Sequence, residues 1–289
     1  MQKKSNSMNS LFTLGCDPEL FIINKKTNKV VSAIGLIPGE KGNPYRPEGS
    51  PNGYGMEIDN ILAEFNIPPA HSKLEWTTYI QYMLNKIEEY VQNINPDYGI
   101  KTVASQHVDE DQLNNPIAKL FGCSVDYNAY TGKPNPKPKG ESTNLRSAGF
   151  HVHFGYEYPN IKTSLELVKL FDIILGVPSV LLDNDKERRS LYGKAGCFRL
   201  TDYGVEYRVL SSYFLSDYQL FGFIYDQINH ALYNLREISD IRSLCMYMYD
   251  KTGTNENIIR STINDGNVEK ATEIIKKLNI KLPCVEFLA

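Results

Sequence analysis

Residues 147–156 read SAGFHVHFGY, and the chain's chemistry is organised around them. Apolar and polar positions alternate as in a β-strand. A period of two puts His151 and His153 on one face and turns Phe150, Val152 and Phe154 to the other, toward a core. Gly149 and Gly155 bracket the pair and let another backbone or a ligand come close. Two imidazoles on one strand face make a metal or phosphate site, or simply two hydrogen-bonded histidines. The surrounding chain decides between these readings.

Downstream, residues 162–182 read as helical, with Gly176 and Pro178 set to break or kink the run. GCFRL (196–200) and GVEYRVLSS (204–212) read as two strands joined by the turn TDYG. Residues 215–249, about 254–263 and 267–278 are expected to be mostly helical. Upstream, LFTLGCDPELFIIN (11–24) reads as one strand, open to a break, with VVSAIG (30–35) as its hairpin partner. Residues 38–55 are rich in Gly, Pro and Asn and should be loop. MEIDNILAEFNIPP (56–69) reads as a single strand ended by Pro68 and Pro69. From 71 to 92 the period becomes 3.6: Trp76, Tyr79, Ile80, Met83, Leu84, Ile87, Tyr90 and Val91 form an apolar stripe, and Ser72 with Glu75 makes a capping box. GIKTVASQH (99–107) reads as a strand. TGKPNPKPKGES, within 126–143, is a Pro/Lys/Gly loop that leads into a strand over 144–156. Residues 1–10 are expected to be disordered and 11–289 to form a single domain, helical from about 215. Strands up to 212 with helices between and after them give an α+β fold, an antiparallel sheet covered on one side by helices.

The composition narrows the function. At a net charge of −3 the chain lacks the basic excess of a nucleic-acid binder. Cysteines 16, 123, 197, 245 and 284 are scattered and odd in number, which suits a reducing cytoplasm better than a disulfide framework. MQKKSNSMNS has no apolar run of a signal peptide, and no stretch is apolar enough to span a membrane. A cytoplasmic location is the expectation.

Four pairs share the spacing i, i+2: Asp17 and Glu19, Glu64 and Asn66, His151 and His153, Glu206 and Arg208. Each lies on one face of its strand, and the other faces are largely apolar. Taken singly, Glu206 with Arg208 reads as a surface charge pair and Asp17-Pro18-Glu19 as a strand-end turn. If the four strands share a sheet, one side collects acids, imidazoles and an arginine. Clustered buried carboxylates are costly unless cations relieve them, and Mg²⁺ or Mn²⁺ suits oxygen ligands with an occasional imidazole. A second, basic constellation comprises Arg188, Arg189, Lys194 and Arg199 around LYGKAGCFR (191–199). Its GKAG piece lacks the spacing of a P-loop and reads equally as a solvated turn. A buried Arg199 would want a phosphate or a carboxylate. The lysine-rich loop 133–140 is either solvated or able to close over an anion.

GCDPELFI, EIDNILAEFNIPPA, SAGFHVHFGY and RRSLYGKAGCFRLTDYGVEYRVLSS, in this order, resemble the carboxylate–amine ligases of the glutamine synthetase and glutamate–cysteine ligase superfamily. The subgroup they look like is the phage-type COOH–NH2 ligase type 2, or phiEco32-like amidoligase. The resemblance spans about residues 14–212. It implies a curved antiparallel sheet whose concave face holds ATP and two or three Mg²⁺ ions. It also implies a reaction in which a substrate carboxylate becomes an acyl phosphate and an amine converts it to an amide. By the resemblance, Glu19 and Glu64 hold the metal nearer the acceptor substrate, and Asp17, His151 and Glu206 hold the metal that bridges the ATP phosphates. His153 contacts phosphate or substrate, Arg199 the nucleotide phosphates, and Arg208 the transferring group. Asp17 stands where relatives usually carry Glu. A further acid is supplied by Glu57, at the spacing of the glutamate–cysteine ligases, or by Asp59; on an unbroken strand both would face away from Glu64, so a bulge or loop must intervene.

The expected substrates are a carboxylate and an amine, from an amino acid, a peptide or a protein side chain; neither their identity nor the oligomeric state is legible. Two other readings stand beside this one: a metal-dependent hydrolase built on the His-x-His strand, and a non-catalytic binding protein on a ligase fold.

Overall fold

The computed structural model describes residues 12–119, 126–135, 143–235, 237–238 and 240–284. In chain order the first half comprises β1 (Phe12–Cys16), β2 (Glu19–Asn24), β3 (Lys29–Val31), β4 (Gly55–Asp59), β5 (Leu62–Asn66), α1 (Lys73–Ile94), β6 (Tyr98–Lys101), β7 (Ser105–His107), α2 (Pro116–Lys119) and β8 (Tyr127–Asn128). The second half comprises β9 (Leu145–Ser147), β10 (Val152–Tyr156), α3 (Ile161–Phe171), α4 (Val177–Leu182), α5 (Lys186–Leu191), β11 (Cys197–Thr201), β12 (Gly204–Tyr207), α6 (Tyr218–Asn234), α7 (Ile241–Thr252), α8 (Glu256–Asn264) and α9 (Val268–Leu278).

The fold is α+β, and its antiparallel strands curl into a half-barrel. One sheet runs β1-β10-β12-β11-β8; a second runs β3-β2-β5-β4, with β6 on β2. The first strand of the chain belongs to both. Pro18 has no N–H to give a ladder, so the strand breaks at Asp17-Pro18 and its second half enters the other sheet. Three backbone bonds tie this corner down: Asp17 N to His151 O, Glu19 N to Gly149 O, and Phe65 N to Pro18 O.

The apolar face of the first sheet is covered by helices. Phe154 stacks on Phe12 with ring centroids 5.4 Å apart, Phe171 of α3 meets Phe154 edge-on, and Tyr207 meets Phe171 in turn. Each such fully buried aromatic contributes about 1.5–3 kcal/mol through area removed from water. Helix α1 starts at the predicted cap, where Ser72 Oγ accepts the Glu75 N–H; the Glu75 carboxylate bonds the N–H of His71. Its Trp76 lies against Phe150 and donates its indole N–H to Phe221 O.

Several expected strands are shorter than their sequence patterns. Residues 56–69 form a hairpin, not one strand: Asn60 takes the left-handed conformation at φ 58° and accepts the Ile61 N–H on its side chain. Asn tolerates that conformation because its short polar side chain bonds locally. The expected strand 99–107 divides into β6 and β7, and 144–156 divides into β9 and β10 around Ala148–His151. The helix over 162–182 is interrupted, as Gly176 and Pro178 suggest, but by a π-helical turn at Asp172–Gly176 that keeps α3 and α4 continuous. Residues 1–10, 136–140 of the lysine-rich loop and Cys123 lie outside the described residues. Cys16, Cys197 and Cys245 are free and buried, and Cys284 is free and exposed. Among the described residues, no helix is long and apolar enough to cross a membrane.

Candidate active site

Backbone register assembles the site. Across β1, β10, β12 and β11, Gly15, His153, Glu206 and Arg199 stand directly opposite one another. Across β2, β5 and β4 the same is true of Glu19, Glu64 and Glu57. Directly opposed residues share a face. The two rows therefore lie one on each sheet, and Asp17, at the corner where the sheets join, stands between them. The four strands thus converge on one place without sharing one flat sheet.

The first row is internally neutralised. His153 Nε2 lies 2.9 Å and His151 Nδ1 3.2 Å from Asp17 Oδ1, and His151 Nδ1 is 3.6 Å from Glu206 Oε1. Glu206 is fully buried, which overturns its reading as a surface charge. It accepts from Arg199 Nε at 2.5 Å and from the Arg208 guanidinium. Arg208 is also buried, and its Nε lies 2.6 Å from Asp126 Oδ1. Burial works against the Asp17 carboxylate, yet the charges of His153 and His151 close beside it outweigh that cost and hold Asp17 well below the usual carboxylate range. For His153 burial opposes the charged form, and Asp17, followed by Glu206, prevails and raises it.

The second row sets Glu19, Glu57 and Glu64 side by side, and Lys41 Nζ lies 3.6 Å from Asp59 beside them. Burial, then Asp59, pushes Glu19 up to about 7, despite the Gly149 N–H donated to its carboxylate at 2.6 Å. Burial, then Asp17, Asp59, Glu19 and Glu57, pushes Glu64 well above its ordinary value. Burial raises Glu57 as well. Gly149 is required by close approach: a Cβ there would lie 2.6 Å from His151 Nε2.

The hairpin brings both candidates for the extra acid, Glu57 and Asp59, toward Glu64. Its turn brings Glu57 back to face Glu64, and Asp59, two residues on, joins Glu19 and Glu64 within 4.8 Å. Asp17, His153 and Glu206 form a second such group, with His151 beside it. Arg188 and Arg189 are buried, and their guanidiniums are engaged by the backbone: Arg188 donates to the carbonyls of Val209 and Leu210, Arg189 to those of Ser179 and Asp183. The Arg188 bonds knit α5 to the chain beyond β12, and the Arg189 bonds knit it to the end of α4. Lys194 is half-buried in the turn before β11.

Sequence reasoning missed Asp126, Tyr203 and Asp172. Asp126 and Tyr203 sit in a loop and a turn, where polar residues carry no signal of their own. Tyr203 hydrogen-bonds His153 Nδ1 through its hydroxyl. Asp172, in the π-helical turn, accepts from Tyr130 and Tyr207 hydroxyls at 2.8 Å each, and burial pushes it up to about 7 against those bonds. It therefore braces the strand that carries Glu206 and Arg208. A separate cleft between α1, β6 and the start of α6, lined by Leu84, Glu88, Ile100 and Phe221, includes none of the candidate residues.

Both acid groups suit hard divalent cations. Asp17 Oδ1 and His153 Nε2 are buried side by side without hydrogen-bond geometry, and burial, followed by neighbouring acids, holds Glu19 and Glu64 away from their charged forms. No curated protein matches the chain. Residues 141–224 match the family model described as phage phiEco32-like COOH.NH2 ligase-type 2, and this segment carries His151, His153, Arg199, Glu206 and Arg208.

Proposed function

We propose that the chain is an ATP- and Mg²⁺-dependent ligase that joins a carboxylate to an amine. The observation that supports it most is the meeting of two acid rows at Asp17, one paired with Arg199 and Arg208 and the other crowding Glu19, Asp59 and Glu64 together. Asp17, His153 and Glu206 would hold one Mg²⁺, with His151 alongside; Glu19, Asp59 and Glu64 would hold another. When bound, the ions would screen the repulsion between a carboxylate and the nucleotide's γ-phosphate.

In this reaction class a carboxylate oxygen bonds to the γ-phosphorus while the bond to the ADP oxygen breaks. The amine nitrogen then attacks the acyl carbon, inorganic phosphate leaves with the C–O electron pair, and the nitrogen gives up a proton. The protein's part is positioning and charge stabilisation. Arg208 is suited to the transferring group, since Glu206 and Asp126 fix its guanidinium from two sides. A positioned arginine contributes on the order of 10³–10⁵ in rate in other phosphoryl-transfer enzymes. Arg199, one strand further along the row and one-third exposed, is suited to the nucleotide phosphates.

The test is ADP release by the purified chain against mixtures of carboxylates and amines with Mg²⁺. The expected result is release only when both substrate classes are present, lost in His151→Ala and in Glu64→Gln while circular dichroism shows both variants folded. Full Mg²⁺-dependent activity in both variants overturns the reading.

A further inference from the structure

The ring of His153 is held at both nitrogens. Nε2 lies 2.9 Å from Asp17 Oδ1, inside the Asp17–His153–Glu206 group. Nδ1 is hydrogen-bonded to the Tyr203 hydroxyl, and the two rings stack with centroids 5.9 Å apart and planes 20° from parallel. Tyr203 stands in the turn between β11 and β12, where its carbonyl accepts the N–H of Tyr156. It keeps 47% of its surface exposed, so the core does not require it. The turn itself draws on Asp202 and Gly204, not on an aromatic side chain.

We propose that Tyr203 is the positioning residue of His153: its hydroxyl fixes the ring so that Nε2 faces the acid group. The inference rests on the metal-dependent reading above. An imidazole that ligates a cation must be neutral, with its lone pair toward the ion and its other N–H donated. In the neutral ring without the ion, Nε2 carries its proton toward Asp17 and Nδ1 accepts. A phenol hydroxyl both donates and accepts, so Tyr203 serves Nδ1 in either tautomer; a carboxylate could only accept and a backbone N–H only donate.

The test is Mn²⁺ titration of the full chain, with unbound Mn²⁺ read by electron paramagnetic resonance. The wild-type chain is expected to show two classes of site. Tyr203→Phe keeps the stacked ring and loses the hydroxyl; it should weaken one class by about 10–100-fold, the usual cost of removing a partner behind a metal ligand. Asp59→Asn should weaken the other class. A Tyr203→Phe isotherm that superimposes on the wild type overturns the inference and leaves the metal reading intact; no binding by the wild type overturns both. A second readout needs no metal. The ¹⁵N shifts of His153 in the metal-free chain should report one tautomer in the wild type and a mixture in Tyr203→Phe, and unchanged shifts overturn the inference.

Discussion

The two acid rows have the same backbone construction and opposite electrostatics. On β10, β12 and β11 the carboxylate of Glu206 lies between two guanidiniums, and the imidazoles beside it support Asp17. On β2, β5 and β4 three glutamates stand shoulder to shoulder, and Asp59 adds a fourth acid with Lys41 at its side. The first row is complete as a charge network from this chain alone. The second is a set of buried acids pressed against one another. A buried ion pair resists loss of one partner, whereas a buried acid without a partner resists its own ionisation. The rows should therefore respond in opposite senses to mutation, pH and metal.

The largest difference is expected from Glu206→Ala. It removes the carboxylate shared by Arg199 and Arg208 and should destabilise the chain by about 3–5 kcal/mol in urea unfolding. A loss no greater than that of Glu64→Ala would erase the distinction between the rows.

Next is the pH dependence without metal. Folded Glu19 and Asp172 hold their protons to about 7, well above the ordinary carboxylate values of an unfolded chain. Their neutral forms favour the fold, so this stability is fully present below about pH 4 and is lost as pH rises through about 7, by on the order of 3 kcal/mol per group. His153, also raised, acts in the same direction. Thermal unfolding in EDTA between pH 4.5 and 7.5 should show the decline. Saturating Mg²⁺ should remove the Glu19 part and leave the part due to Asp172, which lies away from both acid groups. A decline that Mg²⁺ leaves untouched would mean that the second row takes no cation.

The smallest effect sharpens the comparison most. Glu64→Gln removes one charge from the row that has too many, and in EDTA it should raise the melting temperature by about 2–4 °C, the equivalent of about 1 kcal/mol in a chain of this size. In Mg²⁺ the same variant should lose that advantage. A lower melting temperature in EDTA would show that the Glu64 carboxylate is already compensated within the protein.

The local patterns made much of this legible. Period-two alternation placed His151 with His153 and Glu206 with Arg208, because strand geometry dictates faces without reference to the rest of the chain. Ser72 and the apolar stripe after it set the start of α1. The hairpin at Asn60 was hidden: MEIDNILAEF has enough apolar residues for an unbroken strand, and only the left-handed Asn60 turns it back. The ambiguity between Glu57 and Asp59 came from that one turn. Arg188 and Arg189 look the same on paper as Arg199, yet tertiary packing directs the first two to backbone carbonyls and the third to Glu206.

By itself the sequence determined which side chains could share a face and which residue types were available for anions and cations, since both follow from periodicity and chemistry within a few residues. Only the tertiary structure decided that Asp17 joins two sheets, that Asp126 and Tyr203 back Arg208 and His153, and that Asp59 closes the second acid group. Those contacts link residues far apart in the chain, and their geometry is set by strand pairing and core packing, which no local pattern encodes.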